Sequence, residues 1–192
     1  MPAVRGGSRR NSRRIRIGAM MANPSKSKGT SLETWTVRYL AWALQDTRID
    51  RMPLHGNNDQ GDLIGVMFHG EPVCVECKDT HQPNYRKHWR ELKVEMANMD
   101  TPYGVLVQHR RGVGVKSLKG MARQMAILSV DVLERFLAVF SELGEEHALF
   151  AVRLRRELKP VPNNPTLVWM PLERFALLLN DGLPLGPDDG QD

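Results

Sequence analysis

A chain of 192 residues with 41% hydrophobic and 26% charged side chains has room for one domain with a buried core and little for a second. No apolar run approaches the roughly 18 residues of a membrane span, and the basic N-terminus lacks the apolar stretch of a secretory leader, so the expected location is the cytoplasm. The net charge of +5 is uneven: Arg5, Arg9, Arg10, Arg13, Arg14 and Arg16 lie in residues 1–19 without an acid, and the 27 basic residues less these six leave 21 against 22 acids. The high pI therefore belongs to the tail and not to the body.

Residues 1–27 read as a disordered tail rich in Gly, Ser and Arg that could hold phosphates non-specifically. A start at Met20 or Met21 would instead make it an upstream extension. One domain with a C-terminal helical extension is expected over 28–182, and a second disordered tail over 183–192. The first helix is expected from Leu32 to about Gln45, with Thr30 and Glu33 as a capping box in which hydroxyl and carboxylate each satisfy an orphan backbone N–H. Val37, Leu40 and Leu44 share the face that Glu33 begins. Arg48 to Leu54 reads as a short edge strand closed by Pro53, and residues 55–61 are turn formers.

Asp62 to Phe68 is nearly all apolar, which suits a central strand buried on both faces. Residues 69–72 supply a turn, and Val73 to Lys78 the returning strand of a hairpin. Tyr85, Trp89, Leu92, Met96 and Met99 recur at steps of four, three, four and three. That is an amphipathic helix, with Arg86, Arg90 and Lys93 on its other side. Val105 to Val107 is a further buried strand, followed by a basic, glycine-containing loop with Arg110, Arg111 and Lys116. Asp131 and Glu134 suit a capping box opening a helix to about Leu143. Thr166 to Met170 reads as a strand, and Pro171 as the first position of a helix to about Asn180. Leu-Glu-Arg-Phe at 133–136 and 172–175 marks two amphipathic helices and is too short to define a repeat. The order implies a mixed α/β domain.

Cys74 and Cys77 with His81 have zinc-like spacing, but no second ligand pair completes a tetrahedral site. On a strand, residues three apart point to opposite faces, so Cys77 is read as a small core residue. The chemistry lies elsewhere in the hairpin. Phosphodiester hydrolysis uses a divalent cation held by carboxylates, and a lysine beside them can hold the nucleophile or the transition-state charge. Glu76 and Lys78, two apart, share a face, and Asp62 begins the partner strand. A register opposing Asp62 to Lys78 and Ile64 to Glu76 gathers all three, whereas a one-residue slip turns Asp62 away. The competing reading is an edge strand on which Glu76 and Lys78 simply face solvent.

Gly61-Asp62, then thirteen residues, then Glu76-Cys77-Lys78 resembles the PD-(D/E)XK nuclease superfamily. The wider layout is similar to archaeal-type Holliday-junction resolvases: Lys28-Gly29 and Glu33 in a first helix, then a glycine-containing loop from Gly56 to the acid. The resemblance covers about residues 28–110; Gly61 replaces the proline usual before the family acid, and no match extends beyond about residue 112. It implies an α/β, restriction-endonuclease-like fold, a mixed β-sheet flanked by helices, in a nuclease domain spanning 28–182. It further implies a Mg²⁺-dependent DNA endonuclease, with Mn²⁺ able to substitute and no small-molecule cofactor. Asp62 and Glu76 would hold the metal, Glu33 would assist, and Lys78 would orient the attacking water; Glu33 as a helix cap alone is the other reading of that residue. Arg86, Arg90, Lys93, Arg110, Arg111 and Lys116 would contact DNA or else form solvated faces. A branched, two-fold substrate implies a homodimer. The alternatives are another nuclease of the superfamily, acting on flap, single-stranded or duplex nucleic acid, and a non-cleaving nucleic-acid-binding protein.

Overall fold

The computed structural model describes residues 24–53 and 60–187. The basic tail up to residue 23, the loop with His55, Gly56 and Asp59, and the last five residues lie outside the described residues. Helix α1 (Pro24–Ala43) leads into β1 (Asp50–Arg51), β2 (Leu63–Ile64), β3 (Met67–Phe68) and β4 (Glu71–Lys78). Helix α2 (Tyr85–Asn98) and β5 (Tyr103–Gln108) follow. The C-terminal half adds α3 (Leu118–Ala122), β6 (Met125–Ser129), α4 (Val130–Glu142), α5 (Glu145–Glu157), β7 (Lys159–Val161), β8 (Asn164–Pro171) and α6 (Leu172–Leu179). Six strands form one sheet in the order β3-β4-β5-β6-β8-β7, and β1 pairs with β2 separately. Within the large sheet β4 and β5 are parallel and the other neighbours antiparallel. The domain is mixed α/β, with a mixed sheet flanked by helices.

Register assigns the faces. Glu76 lies opposite Leu106, Leu106 opposite Ile127, and Ile127 opposite Trp169, so these four share one face. Helix α2 covers the β4–β5 part of that face. Its Met96 comes so close that a Cβ on Gly104 would stand 2.5 Å from the sulfur, so only glycine lets α2 seat. The other face carries Cys77, Val107, Ala126 and Met170. There α1 reaches Cys77 through Thr36, and Phe136 of α4 packs on Tyr103 and on Phe175 of α6, with ring centroids 4.6 and 5.8 Å apart. Helix α5 lies outside α4, Phe150 against Phe140. Residues 105–107 of β5 are fully buried, as a central strand requires.

Several expectations change. Helix α1 begins at Pro24, so positions 30 and 33, expected at its N-terminus, lie inside it. Its buried stripe is Leu32, Thr36, Leu40 and Ala43. At α4 the cap is Ser129, whose hydroxyl accepts from the Val132 N–H at 3.3 Å, and Asp131 already lies inside the first turn. Pro171 ends β8 and stands just before α6. The strand expected from Arg48 shrinks to two residues. Residues 183–187 pack back on α1 instead of forming part of a free tail: Leu185 joins the core edge, and the Gly186 N–H donates to Ala43 at 2.9 Å.

The run from Asp62 to Phe68 is also broken. Gly65 sits at φ +79, and a Cβ there would stand 2.3 Å from the Arg48 carbonyl oxygen. The break lets β2 pair with β1 while β3 pairs with β4. Gly65→Ala is expected to destabilise by more than about 1 kcal/mol, read by denaturant unfolding; an unchanged midpoint would mean the break is not needed.

Candidate active site

The hairpin turn sets the site's geometry. His69 and Gly70 both take positive φ, +48 and +87, as a two-residue turn between right-twisted strands requires. Met67 then faces Pro72, and Phe68 faces Glu71. Continued unbroken, that register would set Asp62 against Cys77, so the pairing of Asp62 with Lys78 and Ile64 with Glu76 does not form. The site assembles by another route. The Asp62 N–H donates to the Val75 carbonyl at 2.8 Å, and the Asp62 carboxylate accepts from the Cys77 N–H at 2.7 Å. Gly61 makes this possible at φ +86, where a Cβ would stand 2.9 Å from the Val75 oxygen. A proline, confined to φ near −65°, has no place here.

Held so, the Asp62 carboxyl meets that of Glu76 closely enough to hydrogen-bond with it. Two carboxyls can do this only by sharing a proton. Burial pushes Asp62 up to about 8, reinforced by the charges of Glu76 and Glu33 and opposed by the Cys77 N–H. Burial likewise pushes Glu76 up to about 7, with the charge of Glu95 adding to it and Lys78 opposing. The Lys78 ammonium bonds Glu76 directly and lies 3.9 Å from Glu91. Burial disfavours that ammonium, but Glu76, Glu91 and Asp62 more than offset it and hold its pKa above the usual value. Glu76 is only 6% exposed, and β4 has a strand on each side. The solvent-facing edge strand is thereby excluded.

Glu33 stands on α1, close enough for its charge to act on Asp62, but its carboxylate is engaged by Arg51. Three groups on α2 have no part in the site expected from the sequence, in which the histidines, His88 included, show no ligand spacing. Glu95 is buried beside Glu76, Glu91 bridges Lys78 and Lys87, and His88 is buried with no hydrogen-bond partner at Nδ1. Burial, and then Lys78, pushes the His88 imidazole below its usual range. All three sit next to residues that define the helix's apolar face, and their spacing is the one available signal.

The basic residues divide among three places. Arg86, Arg90 and Lys93 are exposed on the outer side of α2. Arg111 and Lys116 line a cleft of about 470 Å³ with Ser31 and His81, where His109 Nδ1 pairs with Asp79 at 2.7 Å. Arg110 turns instead to Trp169, which also has the Lys159 ammonium over its ring; the two cations lie 5.5 and 5.4 Å from the ring centroid. Lys159 is paired across from Trp169 in the sheet, so this cluster shares the face of Glu76, three strand spacings or roughly 14 Å away.

Cys74 and Cys77 are buried free thiols, bonded to the Gln60 carbonyl and to Thr36. Among the described residues no three His, Cys, Asp or Glu side chains form a ready-made metal cluster, and no helix is long and apolar enough to cross a membrane. The fold and site define a mixed α/β domain with a buried acid pair and a lysine beside one central strand. Comparison with protein-family models, curated proteins and solved structures finds no match.

Proposed function

We propose that the chain is a Mg²⁺-dependent endonuclease with a restriction-endonuclease-like fold, cleaving DNA that is branched, as the resolvase resemblance suggests. One observation carries the reading: the carboxyls of half-buried Asp62 and buried Glu76 come within hydrogen-bonding reach, each pushed well above the usual carboxylate range, with the Lys78 ammonium bonded to Glu76. Acids shifted by desolvation together with a specific charged neighbour gather at functional sites. The donor set fits a hard cation, which takes one or two carboxylates from a protein and keeps its remaining waters. Asp62 and Glu76 would hold Mg²⁺ directly, and Glu33, tied to Arg51, would reach it through water. Bound there, the ion would supply charge neutralisation at the phosphate and acidify a water. Lys78, bonded to Glu76, would orient the attacking water, and its charge would favour the transition state. The exposed cations of α2 and the Arg110–Trp169–Lys159 cluster supply the phosphate-binding surface. The protein acts as a homodimer on a two-fold substrate and needs no small-molecule cofactor.

A panel of junction, flap, single-stranded and duplex DNA, plus RNA, tests the reading. Mg²⁺ and Mn²⁺ should support cleavage and Ca²⁺ only binding; full activity in excess EDTA would end the proposal. Lys78→Ala separates an enzyme from a binding protein. In an enzyme it suppresses hydrolysis and spares affinity; in a binding protein it weakens affinity and lowers the salt slope by about one. Glu33→Gln should reduce cleavage less than loss of Asp62 does, and change stability by less than about 1 kcal/mol, since its ion pair with Arg51 is partly exposed. Activity as low as in Asp62→Asn would place Glu33 directly on the ion.

A further inference from the structure

Helix α5 is apolar on its inner side and apolar again on its outer side. Inward, Ala151 and Leu154 are buried against the domain. Outward, Leu149 and Val152 are 49% and 44% exposed. Glu145 and Arg156 extend that outer line in both directions, at steps of four, three and four. At 3.6 residues per turn the four fall within an arc of about 60°, opposite the buried side. The line is symmetric about a point between Phe150 and Ala151, with opposite charges at its ends.

Such a stripe is complementary to itself. When two copies pack antiparallel about a two-fold axis, Leu149 of one meets Val152 of the other, and Glu145 of each meets Arg156 of the other. Among the described residues no side chain of opposite charge pairs with either of them; the ion pairs of this region are Arg155 with Glu134 and Arg174 with Glu157. Each charge also suits its own helix end, Glu145 in the first turn and Arg156 in the last, and antiparallel packing sets opposite dipole ends side by side. We infer that α5 is a homodimer interface, with a second copy of this chain as its partner. The inference rests on α5 alone and stands apart from the catalytic reading. One helix pair buries less than the roughly 1,200 Å² of a standard interface, so the dimer is weak and concentration-dependent.

Sedimentation velocity of the full chain in EDTA, from about 1 to 200 µM, tests this in the range of a weak association. The wild type should pass reversibly from monomer to dimer. Glu145→Arg and Arg156→Glu should each weaken dimerisation about tenfold or more by setting like charges opposite one another, and the double variant Glu145→Arg/Arg156→Glu should restore it. Leu149→Lys, at an exposed position that leaves the fold intact, should give a monomer throughout. A wild type that stays monomeric across the range, or a dimer untouched by Leu149→Lys and by both single reversals, overturns the interface. Because DNA and Mg²⁺ are absent, loss of the nuclease reading would leave these results unchanged, and a monomeric enzyme could still cleave.

Discussion

Asp62→Asn is expected to abolish Mg²⁺-dependent cleavage while making the metal-free protein more stable at about pH 8. The two effects have one cause. An ionised Asp62 is half-buried beside the Glu76 carboxyl, and both desolvation and that neighbouring charge disfavour it unless a cation or a proton compensates. Asparagine keeps the volume and still accepts the Cys77 N–H through its side-chain oxygen, so the backbone clamp survives. It removes the repulsion and with it the direct ligand. Loss of metal stabilisation worth several kcal/mol corresponds to a fall in turnover of about a thousandfold. Glu76→Gln should lose cleavage to the same degree without the gain in stability, because it also leaves Lys78 without its nearest carboxylate. Single-turnover cleavage and urea unfolding of both variants give the comparison. Retained turnover in Asp62→Asn with Mg²⁺ as the only metal would place the chemistry elsewhere.

The metal-free protein should lose stability as pH rises through neutrality, and Mg²⁺ should return it. Asp62 and Glu76 titrate near 8 and 7 in the folded chain, against about 4 when unfolded. Between those limits the folded state binds more protons, so the stabilising contribution is complete below about pH 4 and is lost as pH rises through the folded values. Thermal unfolding in EDTA is expected at a Tm several degrees lower at about pH 8.5 than at about pH 5.5. Mg²⁺ should raise the Tm at the higher pH and leave the lower one unchanged, where a proton already occupies the pair. Asp62→Asn should flatten both dependences. A wild-type Tm that climbs across this range in EDTA, or a slope that Asp62→Asn leaves alone, would mean that the pair is not charged in the way described.

Strong periodicity made the centre of the fold legible. β4, α2 and β5 emerge close to their expected bounds, because each has an unbroken apolar pattern flanked by turn residues. The strand β6 was missed because its short apolar run passes into α4 without a breaker, Ser129 being both strand end and helix cap. Helix α5 was missed for the reason that makes it interesting: apolar residues on two sides blur a one-sided stripe. Asp62, Glu76 and Lys78 were legible as chemistry, but their assembly was not. That assembly depends on positive-φ glycines at 61 and 65, which act through backbone shape and carry no side-chain signature. Glu95 and His88 were hidden by the neighbouring Met96 and Trp89, since a charged residue one step from an apolar one looks like the edge of a solvated face.

The chain's last described turn carries an optical consequence. Gln45 donates to the Gly186 carbonyl at 2.8 Å, and a Cβ at residue 186 would stand 2.5 Å from the Trp42 ring, so the returning backbone lies flat on an indole that is 38% exposed. Trp42 is thus a built-in fluorophore whose solvation records whether this strap is seated. Nine residues back along the same helix, about 13.5 Å, stands Glu33, so the emission of one tryptophan reports on the anchoring of the wall that faces the acid pair.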